Sequence, residues 1–393
     1  MSHQPRLFSC LRFSFPRLLA VFSCVVLATA LRAAEQAPLK RYLYLGFPDG
    51  AQAAVSPHAP GIAVYDIDDG HKFVRFISIP NFTQGGGKGV NARELGLRGL
   101  CVSLANHAAY YTAENGWVGC FDLETEKVVW EKHLPEGGDR ADITLDGKKL
   151  YIPTGYWDRG VGGGLLVVDA HTGNVLKRLG GLGAGAHNSF VTLDGKFVLV
   201  TGIEWIAMFR TSDEEKVMYL NDIGDGGMFP FTVDSKLEKA YISRYRHVGV
   251  DIIDLKSGAK IHTFQDGRPP IPRRTHGSAL TPDEKELWLS DQAGKRLLVM
   301  DNTVFPPVLK QEIPLIRDGH GWVLFSMDGR FAWTHTEEVF DAHTKKLVAT
   351  LKDENGKPLT GSKYFEVHFR GKKVVAVGNQ FPLGRATVPA SSE

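Results

Sequence analysis

Three histidines hold matching places in this 393-residue chain. His187 stands seven residues before Asp194, His276 seven before Asp283, and His320 eight before Asp328. Each leads into a short apolar run that an Asp-containing turn interrupts, as in "HNSFVTLDGKFVLV" and "HGSALTPDEKELWL". Imidazoles on separate rigid strands can bind one Zn, Mn or Fe ion and leave coordination positions open for water or substrate. His187, His276 and His320 are therefore a candidate metal set, although no His-Glu-x-x-His spacing occurs and Met228 stands at an equivalent place. An imidazole in such a position can also act as a general base, or orient a ligand without reacting with it.

Aligning the units on their Thr-x-Asp segments adds Arg98, Asp139 with Arg140, Met228, and Lys363 or Tyr364 to the same ring. Segments expected to open on that face, among them "TAENGW", "SDQAG" and "THTEE", carry Glu114, Asp158, Glu204, Arg246, His247, Asp291 and Glu337. They also carry the aromatic and basic candidates Tyr156, Trp157, Arg159, Trp205, Arg244, Tyr245 and His335. Guanidinium groups such as Arg98, Arg140 and Arg244 fork onto carboxylate or phosphate oxygens, and Trp157 or Trp205 can stack on a sugar ring. The expected ligand-binding set is thus Arg98, Arg140, His187, His276 and His320 near the axis, surrounded by those seven aromatic and basic side chains.

Such convergence needs a scaffold that returns repeatedly to one axis. The hairpin-like segments "LLVVDAHTGNVLKRL", "VDIIDLKSGAKIHTF", "EEVFDAHTKKLVATL", "GCFDLETEKVVWEKH" and "AVYDIDDGHKFVRFI" each end an apolar run with an aspartate and resume within a few residues. Asp accepts from backbone amides just ahead of it and Gly accepts a positive φ, so these are tight reversals. With Thr211 and Asp301 as weaker copies, the markers fall at 66, 122, 169, 211, 254, 301 and 341. A period of this length, with short β-rich runs and no i, i+3, i+4 apolar spacing, predicts an all-β, seven-bladed β-propeller of four-stranded antiparallel blades. Residues 41–79 supply only part of a blade, and "SKYFEVHF" reads as an innermost strand without partners. Pairing the two closes the ring and removes exposed edges. "KKVVAVG" is either an extra strand or a replacement for "RYLYLG".

The repeats "SFVTLDGKFVLVTG", "SALTPDEKELWLSDQAGKRLLVMD" and "LLVVDAHTGNVLKRL" resemble those of exported bacterial YVTN-type propellers, WD40-like arrays related to the quinoprotein amine dehydrogenase β-chain-like fold. The resemblance covers residues 40–380 and leaves 381–393 as a tail. It implies the fold and a broad range of roles, since such propellers serve as enzymes, electron-transfer partners and binding platforms. Function has to be argued from a site.

Arg6, Arg12 and Arg17 precede an apolar run from Leu18 to Ala30, which reads as a secretory leader within residues 1–34 and an exported, periplasmic or extracellular protein. Removing 1–34 takes away four arginines and no acids, so the formal charge moves from +2 to −2. That near-neutral balance argues against a nucleic-acid stripe or a polybasic membrane patch, and no later run reaches the ~20 apolar residues of a membrane span. Cys101 and Cys120 fall on non-neighbouring strands of one sheet, ~9.5 Å apart, and are expected to be free thiols. "TQGGGKGVNAR" lacks the order of a phosphate loop, "DIDDG" the spacing of a calcium loop, and no Cys-x-x-Cys-His haem site exists. "DLETEKVVW" departs from the Trp-docking repeat of pyrroloquinoline-quinone dehydrogenases, so neither haem nor that quinone is expected. The insertions "YWDRGVGGG" and "QDGRPPIPRR" lengthen loops on the candidate face. The sequence thus reads as a monomeric exported binding protein for a small anionic ligand, glycan or protein partner. A propeller lyase or hydrolase acting on a carboxylated sugar is the alternative.

Overall fold

The computed structural model describes residues 37–47, 61–79, 97–113, 116–155, 163–227, 230–271, 275–319, 321–361, 363–378 and 386–387. The leader, the Thr83–Arg93 segment and most of the first insertion lie outside the described residues. Every described element is a strand, and they form seven antiparallel sheets. The first sheet takes β1 (Leu39–Phe47), β2 (Gly61–Asp66) and β3 (Lys72–Ser78) from the N-terminal part of the chain. The second holds β4 (Leu97–Ser103), β5 (Ala108–Ala113), β6 (Trp117–Asp122) and β7 (Lys127–His133). The third holds β8 (Asp142–Ile143), β9 (Lys149–Thr154), β10 (Gly164–Asp169) and β11 (Val175–Leu179). In the fourth are β12 (Asn188–Val191), β13 (Phe197–Gly202), β14 (Trp205–Arg210) and β15 (Lys216–Asn221). The fifth runs β16 (Phe231–Val233), β17 (Lys239–Ser243), β18 (Gly249–Asp254) and β19 (Ala259–Gln265). The sixth runs β20 (Thr275–Leu280), β21 (Glu286–Asp291), β22 (Arg296–Asp301) and β23 (Val308–Pro314). The seventh comprises β24 (Leu324–Phe325), β25 (Phe331–Trp333), β26 (Glu338–Asp341) and β27 (Leu347–Thr350). Finally β28 (Lys363–Arg370), β29 (Lys373–Gly378) and β30 (Ala386–Thr387) join the first sheet.

The same local chemistry builds most blades. The first strand of blades two to six is wholly buried, whereas the fourth strand is mostly exposed. After the first strand a hydroxyl caps a turn aspartate: Thr144 to Asp146, Thr192 to Asp194, Thr281 to Asp283, and Ser326 to Asp328. All seven sequence markers end or directly follow the third strand of their blade. Asp169 shows how they work, accepting from the amides of His171 and Thr172 at 3.0 and 2.8 Å while Gly173 takes φ 72°. Asp254 repeats the arrangement with Ser257 and Gly258, and "DIDDG" is a hairpin in which Asp66 accepts from Asp68 and Asp69.

Side chains alternate across each strand, so one face of a blade packs on its predecessor and the other on its successor. Buried apolar clusters join blades one and two, two and three, three and four, five and six, and six and seven. A further cluster spans the four–five and seven–one interfaces. With no interface missing, the blades form a closed ring. Closure is made by β1 pairing antiparallel with β28, and a seam bonds the first blade to the seventh. In that seam Trp333 Nε1 donates to His71 Nε2 at 2.9 Å, and Arg41 bridges Asp68 and Asp328. The "KKVVAVG" segment is an added strand: β29 pairs with β28 on the side away from β1, and β1 keeps its place.

Cys101 on β4 and Cys120 on β6 are free and buried, and Tyr110 on β5 stands in register with both. Burial raises both thiol pKa values, that of Cys120 to about 12. Among the described residues no helix is long and apolar enough to cross a membrane.

Candidate functional site

The heads of several inner strands meet on the axis. Arg98 lies in β4, Asp139 and Arg140 precede β8, His187 precedes β12, His276 lies in β20, and Trp322 precedes β24. Side chains of non-neighbouring blades can touch only across the channel, and two such contacts occur here. The Arg140 guanidinium of blade three lies 3.7 Å from the ring centre of Trp322 in blade seven. The rings of His187 in blade four and His276 in blade six are 6.3 Å apart between centroids. Neighbouring blades complete the set: His187 Nδ1 is 3.1 Å from Asp139 Oδ2, and Trp322 Nε1 donates to His276 Nδ1 at 3.1 Å. Arg140 Nε donates to the Arg98 carbonyl at 3.4 Å.

Two blades use the same device to aim a side chain inward. Strand register shifts between Leu97 and Gly99, and again between Thr275 and Gly277, so Arg98 and His276 are each the extra residue of a β-bulge. A bulge redirects the side chain that it carries. The glycine that follows lets the next blade approach. A Cβ on Gly99 would stand 2.8 Å from Arg140 Cα, and one on Gly277 would stand 2.6 Å from Trp322 Cδ1. Arg140 is tied into the next blade as well, because its amide donates to the His187 carbonyl at 3.2 Å and its carbonyl accepts from the Ser189 amide at 3.0 Å.

The cluster is dry. Arg98, Asp139, Arg140, His187, His276 and Trp322 are all 4% exposed or less. This differs from the wet channel mouth that polar residues alone suggest, because the bulges fold them against one another. Burial alone would raise the Asp139 pKa, but His187, Arg98 and Arg140 outweigh it and keep the carboxyl ionised. Burial lowers the His187 pKa against the opposing pull of Asp139, with Arg140 and Arg98 lowering it further, so the ring is neutral near pH 7. An ionised carboxylate only accepts and an indole N–H only donates. The indole bond to Nδ1 therefore leaves the proton of a neutral His276 on Nε2.

The other candidates divide clearly. Trp205 packs in the interface of blades three and four, donating to the Ala184 carbonyl at 2.9 Å and stacking on Tyr219. Its indole is part of the scaffold, contrary to the expected ligand-stacking wall. Arg244 forms a separate network, binding Asp251 at 2.7 Å and Asp225 at 3.2 Å, while Asp225 also holds the Tyr245 amide and the His247 ring. Tyr364 lies in the apolar cluster, its hydroxyl shared between the Thr334 and Gly361 carbonyls, each 2.9 Å away. Lys363 at the head of β28 and His335 after β25 are fully buried. Tyr156, Trp157, Arg159, Met228 and His320 lie outside the described residues. Among the described residues no three His, Cys, Asp or Glu side chains stand together as a metal set.

Trp322 and Asn188 are absent from the sequence-derived set. Asn188 is fully buried next to His187, and neither its amide oxygen nor its nitrogen makes a hydrogen bond among the described residues. The same holds for Asp139 Oδ1. A usable signal was the glycine directly after Arg98 and after His276, which marks close approach in a strand.

No protein-family model matches the chain, and no curated protein matches it. Among solved structures, a chain of Kuenenia stuttgartiensis hydrazine synthase is similar with a TM-score of 0.58 and 13% identity. The match covers 73% of this chain and 88% of that one, and at such identity it shows a shared fold alone.

Proposed function

We propose that this is an exported binding protein whose axial site takes a small anionic ligand carrying hydroxyl groups, with a carboxylated sugar as the best-fitting class. The observation that supports it is the buried meeting of Arg98 and Arg140 with the Asp139 carboxylate at the junction of non-neighbouring blades. Planar guanidinium groups fork onto carboxylate oxygens, and such charge-assisted bonds strengthen in a dry place. Asp139 Oδ1 and the Asn188 amide add an acceptor and a donor–acceptor pair for hydroxyls. The Arg-rich, apolar beginning of the chain supports export, and the YVTN-like repeats fit that setting.

Calorimetric titration tests the reading with galacturonate, glucuronate, inorganic phosphate and neutral galactose. The uronates are expected to bind and galactose is not. Arg98→Gln with Arg140→Gln should weaken uronate binding by at least about tenfold, since hydrogen bonds to charged groups are worth about 1.5–3 kcal/mol each. Equal binding of galactose, or an unchanged double variant, would refute it. A lyase or hydrolase on such a sugar is the second reading, favoured by the Asp139–His187 contact that sets a base beside the guanidinium groups.

A further inference from the structure

We infer that the C-terminal strand β29 is a strap across the channel mouth opposite the axial cluster. It ties blade seven to blade two over the closing blade, and it opens as a unit before the ring does. The inner strands run from the axial cluster toward turns on the far face, where Asp146, Asp194, Asp283 and Asp328 sit. β28 is the inner strand of blade one, buried from Lys363 to Val367 and packed on β4, so its turn at Gly371 lies on that far face as well. In this sheet β1 takes the outer edge of β28, which leaves β29 on the inner edge, the one that faces the channel. Among the described residues blade one alone carries a strand there.

Each end of β29 is fixed to a different blade. At its start the Val374 amide donates to Glu124 Oε1 of blade two at 3.2 Å, and the same oxygen lies 3.0 Å from His107 Nδ1. At its end Gly378 lies against Met327 of blade seven, where a Cβ would stand 2.6 Å from Met327 Cγ. Glu366, fully buried in β28, holds the same corner by accepting the Met327 amide at 2.8 Å. Between the two ends Val374 and Val377 share the apolar cluster of blades one and two with Leu100 and Val102. Pairing from Glu366–Gly378 to Arg370–Lys373 occupies an edge that would otherwise be an open template for another strand. The link to β28 is the exposed pair Gly371–Lys372, with Gly371 at φ 60°. The strap can therefore leave while β28 and β1 stay paired, and a unit held by one ladder and a few apolar contacts belongs at the low end of local stability.

Hydrogen exchange read by mass spectrometry on the full chain, at rising urea below the unfolding transition, tests this. Residues 373–378 and the inner-edge amides of 366–370 should become exchangeable together, at lower urea than β12 and β20 on the far side of the ring. Glu124→Ala should speed exchange of 373–378 by about tenfold or more, as expected for a lost hydrogen bond to a charged group, and leave β12 and β20 unchanged. Gly378→Val should do the same from the blade-seven end. Should that variant fail to fold, Glu124→Ala still decides, because the Glu124 side chain is one-third exposed. Exchange of 373–378 only together with β12 and β20 overturns the separate unit. Exchange of 373–378 at the rate of an unstructured chain in the wild type overturns the strap, and so does unaltered exchange in Glu124→Ala.

Discussion

Acidification should loosen the ring at one identifiable place. His71 lies in the β2–β3 hairpin of the first blade with φ 61°, 3% exposed, and its Nε2 accepts the indole N–H of Trp333 in the seventh blade at 2.9 Å. Its ring also meets Phe331 edge-on, with centroids 4.7 Å apart. Burial, helped by Arg41 and opposed by Asp66 and Asp68, lowers its pKa from 6.5 to about 4. A depressed histidine favours the folded state fully above its unfolded pKa, and that contribution is lost as pH falls from 6.5 toward 4, because only the unfolded chain takes up the proton there. A gap of about 2.5 pKa units at 1.36 kcal/mol per unit gives about 3 kcal/mol in full, of which roughly 2 kcal/mol is already lost at about pH 5. Urea unfolding of the wild type and of His71→Gln isolates this contribution, since glutamine can still accept from Trp333 and does not titrate. The stability difference between them should shift against the wild type by about 2 kcal/mol between about pH 7.5 and 5. A difference constant to within about 0.5 kcal/mol over that range would refute the account of the seam.

Neighbouring contacts should behave differently. Asp328→Asn breaks the bridge to Arg41 in the same seam, but the Asp328 side chain is 41% exposed, so unfolding should show a loss below about 1 kcal/mol. Gly277→Ala drives a methyl group into Trp322 and should cost about 1–3 kcal/mol; a silent substitution would remove the close-approach argument. Trp205→Phe removes the bond to the Ala184 carbonyl and should lower stability by about 1 kcal/mol without altering uronate titration, whereas weakened binding would return Trp205 to the site. Alkylation followed by mass spectrometry should leave Cys101 and Cys120 unmodified in the folded protein and label both after unfolding.

Much of this was legible in the order of residues. Asp169-x-x-Thr-Gly and its degenerate copies at Asp254 and Asp341 announce hairpins because a side-chain acceptor and a positive φ are local requirements. Counting them yields the blades. Placing Cys101 and Cys120 on alternate strands was a matter of the same counting. Arg98, Asp139, Arg140, His187 and His276 were found because they occupy one register position, and register position decides height along the axis.

What the sequence could not decide is which of those polar side chains turn inward and what they touch. Trp205 looks as ready to stack on a sugar as Trp322, yet one is walled into a blade interface and the other lies over Arg140. The difference is a bulge and a glycine in the neighbouring blade, and such contacts have no local signature around the tryptophan itself. Periodicity by itself determined a ring of seven blades and the level at which its chemistry sits. Tertiary structure alone decided that His276 accepts from Trp322 and that His187 lies beside Asp139, because in each case another blade brings the partner within 3.1 Å.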